Sequence, residues 1–172
     1  AGGQVTEVIH VKPGGVIADV VINHPVKNEG WLINLKVSTD GHIQGGKLSG
    51  SVANQGLIED IEFKGKWLQG GVLGGHIHNT SPVNGLIKNV KFKAGSILEG
   101  GRVGGEITGD PVDPVRLTGV TLTNGSHLSN VIIDDSSKLP DNITFGAGVR
   151  FASDFPCQGN GLSLHNGEQP NA

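Results

Sequence analysis

Leu68-Gln-Gly-Gly-Val-Leu-Gly-Gly-His-Ile77 decides the fold, because close copies stand at Ile43-Gln-Gly-Gly-Lys-Leu-Ser-Gly-Ser-Val52 and Leu98-Glu-Gly-Gly-Arg-Val-Gly-Gly-Glu-Ile107. The copies are offset by 25 and 30 residues, and fainter ones begin at Ile17 and Leu128. Short apolar alternation with glycine, repeated at that length, is the mark of a chain wound into stacked coils. Between the copies lies a second pattern of apolar residues: Leu32/Leu35/Val37, Leu57/Ile61/Phe63, Leu86/Val90/Phe92, Leu117/Val120/Leu122 and Leu139/Ile143/Phe145. Within each piece apolar and polar residues alternate, as in a strand with one buried face. No segment holds helical spacing over ten residues, so the chain reads as all-β.

The corners carry the stronger argument. Three columns precede inward apolar residues: Asn34, Asp60, Asn89, Gly119 and Asn142; Asp19, Gly45, Gly70, Gly100 and Asn130; and Gly50, Gly75 and Gly105. Gly, Asn and Asp are the residues that enter the left-handed backbone region most cheaply, and a coil must bend sharply between faces. A fourth column, Gly15, Gly41, Gly65, Gly95 and Gly125, marks another bend. The expectation is a three-sided, single-stranded parallel β-helix of about five to six coils, stacked about 4.8 Å apart. Aligning one repeat per coil places Val37, Phe63, Phe92, Leu122 and Phe145 in one buried ladder. The same alignment puts Lys36, Glu62 and Lys91 in one exposed column, Glu59 one coil from Lys88, and Lys64 above Lys93.

The chain has 172 residues, 29 of them glycine, with neither methionine nor tyrosine. That length suits one domain with a sizeable core. A formal charge of −3 gives no nucleic-acid or basic membrane footprint. Apolar runs are only a few residues long, so no membrane span or signal peptide is read, and Ala1-Gly-Gly reads as an artificial boundary or a cut from a longer chain. The β-solenoid domain is placed at 1–151. Residues 152–172, rich in Gly, Asn and Ser and holding the lone Cys157, read as an irregular tail. Asn79-Thr-Ser-Pro-Val-Asn-Gly85 and Gly109-Asp-Pro-Val-Asp-Pro114 are turn-forming inserts. Residues 5–10 and 146–151 are candidates to close the two ends of the coil stack.

Pieces such as Leu86-Ile-Lys-Asn-Val-Lys-Phe92 and Leu128-Ser-Asn-Val-Ile-Ile133 resemble the right-handed parallel β-helix repeats of large bacterial extracellular proteins. The resemblance covers roughly residues 5–151. It implies a right-handed coil within a secreted or cell-surface protein, serving as a rigid stalk or an adhesive segment. The right-handed preference of parallel crossovers agrees. The apolar residues do not recur every six, unlike those of left-handed hexapeptide acyltransferases. Thr121-Leu-Thr123 stands alone, unlike the threonine columns of ice-binding proteins.

β-Helix architecture specifies function badly, and the reading is non-enzymatic, with no cofactor. Were the chain a polysaccharide lyase or hydrolase, carboxylates and bases on neighbouring coils would act. The candidates are Glu99 with Arg102, Glu106, Asp110 and Asp113 of the insert, and His76. Glu106 is expected one coil from His76, since each precedes the apolar residue of a third strand, and such a pair does acid–base work. His76-Ile-His78 puts two imidazoles on one strand face, a start for zinc, although no further ligand is fixed. Asp134-Asp135 and the Asp110/Asp113 pair are calcium candidates without a glycine–aspartate nonapeptide. The run 70–75 lacks the Lys-Ser/Thr of a phosphate loop and a following helix. Trp31 and Trp67 are sugar-stacking candidates, with Trp67 expected to be partly buried. The expected partners are a polysaccharide or another protein surface. The alternatives are a carbohydrate-binding or carbohydrate-cleaving module and a self-assembling segment.

Overall fold

The computed structural model describes residues 3–5, 7–81 and 85–152. The tail beyond 152, Cys157 and part of the first insert lie outside them. Every strand pairing is parallel and no helix occurs among the described residues. The chain is a β-solenoid of about eight turns. At about 4.8 Å per turn the rod is about 38 Å long.

A turn is built of three short sides. Strand Val16–Ile22 supplies two of them, 16–18 and 20–22, and bends between them at Asp19, whose φ is 56°. Strand Pro25–Asn28 supplies the third, after which Trp31 lies beside Val16. We call these the first, second and third faces. Lys47 then lies beside Trp31, so the stretches from Val16 to Trp31 and from Trp31 to Lys47 are each one plain turn. Turns carrying an insert are longer: His78 lies beside Glu99, and Glu106 beside His127.

This corrects the coil count from five or six to about eight, and the cause is geometric. Three sides close a turn, but the step from one copy of the repeat to the next crosses five. Successive copies therefore begin on different faces: His42–Gln44 on the third, Trp67–Gln69 on the second, Ile97–Glu99 on the first. The repeat of the sequence is not the repeat of the structure. Val37, Phe63 and Phe92 accordingly sit beside Asn54, Leu48 and Leu73 on three different faces, with Leu122 beside Val103 and Phe145 beside Leu128. The expected column of Lys36, Glu62 and Lys91 is likewise split among the faces. Glu59 meets Lys93, not Lys88, and Lys64 pairs with Glu62.

The inward residues nevertheless form ladders of like on like. On the second face Leu35, Val52, Leu68, Ile87, Val103 and Leu122 stack in register, and all are buried. Ile43, Ile58 and Leu73 do the same on the third face, Leu98, Leu117 and Ile133 on the first. Full burial of each such side chain is worth about 1.5–3 kcal/mol before the entropy of ordering.

The corners fall where the sequence places them. Asp19, Asn34, Asp60, Asn89 and Asn130 all have φ between 52 and 56°, and the glycines of those columns are left-handed too; Asn142 is not. Of the fourth glycine column, only Gly95 and Gly125 are left-handed. Gly41 and Gly65 are glycines for another reason: a Cβ would lie 2.3 Å from the Ile22 carbonyl oxygen and 2.4 Å from that of Gly50.

Candidate functional site

The solenoid stacks outward side chains as strictly as inward ones, and on two faces it makes them into charge ladders. On the first face Trp31, Lys47, Glu62, His78, Glu99 and Thr118 follow one another rung by rung. Lys47 and Lys64 hold their ammonium groups 5.3 and 5.9 Å from the Trp31 ring centre. Glu62 bridges both lysines, at 3.9 and 3.0 Å, and accepts a 2.8 Å hydrogen bond from the Thr80 hydroxyl. Burial pushes its carboxyl upward, but Lys64, Thr80 and Lys47 together hold it below the ordinary glutamate value. Trp31 is thus engaged by its own lysines, a cation–π arrangement.

Further along the same face the sequence candidates His76, His78 and Glu99 do come together. Glu99 Oε2 lies 3.0 Å from His76 Nε2, and Oε1 lies 3.9 Å from His78 Nε2. The two imidazoles are parallel, with centroids 6.1 Å apart and planes 12° from one another. All three side chains are about half exposed. The carboxylate bridges two rings stacked side by side on a flat surface. Among the described residues, no group of three His, Cys, Asp or Glu is disposed to hold a metal ion.

Two other candidates are separated from this cluster. Arg102 follows the Gly100-Gly101 corner and so faces outward on the second face, beside Leu86 and Thr121. Glu106 lies on the third face beside His127, whereas His76 lies beside Ile97. The expected Glu106–His76 pair does not exist, because the two copies that carry these residues are rotated by two sides. Val16, His42, Trp67, Ile97 and His127, each of which precedes the first apolar residue of a repeat copy, are spread over the three faces for the same reason.

The third face holds a pairing that the sequence reading missed. His42 Nε2 lies 2.8 Å from Glu59 Oε2, while Lys93 Nζ lies 2.8 Å from Glu59 Oε1. The Lys93 hydrogen bond, helped by His42 and opposed by partial burial, holds the Glu59 carboxyl below its usual range. Glu29 is held low in the same way, first by His10 at 3.1 Å and then by Lys27 at 3.4 Å. Aligning the chain by one true turn, in place of one sequence repeat, sets His10 beside Lys27 and His42 beside Leu57, with Glu29 and Glu59 two residues further along the neighbouring rung and within side-chain reach.

The calcium candidates are occupied with other work. Asp110 accepts hydrogen bonds from the Val112 and Asp113 backbone N–H groups. Asp134 accepts from the Gly119 N–H and from the Ser136 and Ser137 hydroxyls. Burial raises the Asp134 carboxyl, but Ser137, Gly119 and Ser136 outweigh it and keep it low. It caps a corner.

Comparison with protein-family models, with curated proteins and with solved structures found no match to this chain. The fold therefore stands on the strand register, and the function rests on the surfaces described above.

Proposed function

We propose that this chain is a stiff structural or adhesive module of a larger secreted or cell-surface protein and performs no reaction. One observation carries the reading: apolar ladders fill the interior of all three faces of the rod, interrupted only by buried polar residues such as Asn28, Asn54 and Asn79, and leave the outward strand positions for display. The side-chain polar atoms buried with them are all hydrogen-bonded among the described residues, a condition for a rigid, uniquely packed interior. Such a rod suits a spacer that holds partners apart or presents a face to them. The resemblance of the coil pieces to extracellular β-helix repeats supports the location.

The test is incubation with neutral and acidic polysaccharides, following both retention and the appearance of new reducing or unsaturated ends. Retention or indifference without new ends is expected. Release of products would overturn the non-enzymatic reading, and His76 with Glu99 would then be the first residues to replace. Sedimentation at rising concentration addresses self-assembly, and a constant mass is expected of a module that acts as a single rod.

A further inference from the structure

The second face differs from the other two. Its outward strand positions carry no carboxylate, whereas every ion pair among the described residues lies on the first or third face or at the corner between them. Two outward columns run along it. One reads Lys36, Ala53, Gln69, Lys88, Gly104; the other reads Ser51, Trp67, Leu86, Arg102, Thr121, Lys138. Lys36, Lys88, Arg102 and Lys138 have no acidic partner within 4.0 Å among the described residues. Of the acids at the corners that flank this face, Asp19 accepts from Asn34 and Asp134 is held by a backbone N–H and two serines, whereas Glu7, Asp40, Asp135 and Asp141 are exposed and lie beyond 4.0 Å of any described cation.

The cations surround an apolar centre. Trp67 and Leu86 are neighbours on adjacent rungs and both are half-buried. Lys88 lies two residues from Leu86 on the same strand, and Arg102 is on the next rung. Trp67 therefore differs from Trp31, whose ring is covered by two lysines. Arg102 and Lys138 are two rungs apart, about 10 Å, and Lys36 and Lys88 three rungs apart, about 14 Å.

We infer that this face binds an acidic polysaccharide, a chain of carboxylate- or sulfate-bearing sugars lying along the rod axis. A rung spacing close to the length of one sugar ring lets successive sugars meet successive rungs. The cations take the acidic groups, and Trp67 with Leu86 beds the apolar face of one ring. Charge complementarity selects the partner, because the face is basic on a molecule whose net charge is −3. A densely charged nucleic acid would be repelled by the remainder of the surface, whereas an acidic glycan carries fewer charges per unit length. The inference rests on the adhesive reading given above and names its ligand class.

The experiment uses the whole chain with polygalacturonate and chondroitin sulfate as probes, neutral dextran as control, and anionic phospholipid vesicles and duplex DNA as competing surfaces. Retention on the acidic glycans, weakened by salt and absent on dextran, is expected. The combined variant Lys36→Gln/Lys88→Gln/Arg102→Gln/Lys138→Gln should weaken it by about tenfold or more, since it removes all four outward-facing cations of the face. Lys47→Gln/Arg116→Gln, on the first face, should leave it unchanged. Trp67 fluorescence should shift with polygalacturonate and lose its quenching by iodide; Trp67→Phe identifies the signal. Equal weakening by the two sets of variants, or tighter binding to vesicles or DNA, overturns the inference. New sugar ends with the second-face dependence intact would overturn only the non-enzymatic reading.

Discussion

Gly75 shows how a single residue sets the stacking register. Its φ is +64°, and a Cβ there would lie 2.0 Å from Asp60 Oδ1, one turn below, which caps the His76 N–H at 2.9 Å. Gly14 has a similar φ, +79°, but nothing within 4 Å of the Cβ position. Gly14→Ala should therefore cost only the left-handed strain, about 1–2 kcal/mol, and Gly75→Ala distinctly more, measured by urea unfolding. Adding Asp60→Gly to Gly75→Ala removes the collision and should recover part of the loss; a strictly additive double variant would refute the stacking argument. Glu59 gives a residue-scale pH prediction. Its carboxyl is held below the ordinary 4.5 by Lys93 and His42. The stability it contributes is therefore complete above that value and is lost as pH falls through the lower folded value. Glu59→Gln should flatten the acid limb of the stability profile there, and an unchanged limb would mean that the ion pair is idle.

At the scale of the element, the corners were legible and the buried caps beneath them were not. Asn34, Asp60 and Asn89 could be picked out because only Gly, Asn and Asp fill those columns, a chemical restriction visible in letters alone. Asn28, Asn54 and Asn79 carry equal weight but stand at strand ends, where an asparagine looks like any turn residue. All three are buried. Asn54 accepts from the Gly56 N–H and donates to the carbonyls of Gly70 and Val72 one turn on. Asn28 repeats the arrangement, accepting from the Gly30 N–H and donating to Gly45 one turn on, whereas Asn79 accepts from the Ser81 N–H and donates to Gly85 within its own turn, across the insert. Asn54→Ala should destabilise by about 2 kcal/mol or more, since it leaves buried backbone groups unpaired. Asn54→Asp keeps the shape but turns a carboxylate toward two carbonyl oxygens, so it should cost at least as much. An aspartate variant as stable as the parent would remove the capping role. The site residues divide the same way. His76 and His78 share a strand, so their common face follows from alternation, whereas their meeting with Glu99 depends on the length of an intervening turn with an insert.

At the scale of the whole molecule, fold class was legible and turn count was not, for one reason. Alternation and corner chemistry act within a single short side, and every side obeys them, whichever face it occupies. Nothing within a single copy of the repeat tells whether three sides or five close a turn; that is decided by which strands pair. The register makes two opposed statements testable in one protein. Lys47 and Glu62 are outward neighbours on adjacent rungs of the first face, whereas Glu59 and Lys88 lie on different faces. In a Cys157→Ser background, Lys47→Cys/Glu62→Cys places two Cα atoms about 4.8 Å apart, inside the roughly 4.4–6.8 Å that a disulfide spans. That pair should close under mild oxidation without loss of the parent β-sheet circular dichroism, and Glu59→Cys/Lys88→Cys should stay reduced. A turn as long as the sequence repeat demands the reverse, because it puts Glu59 beside Lys88 and carries Glu62 away from Lys47. Closure of the first pair alone therefore fixes one turn as the step from Lys47 to Glu62, and with it the separation of the charged ladders from the basic face.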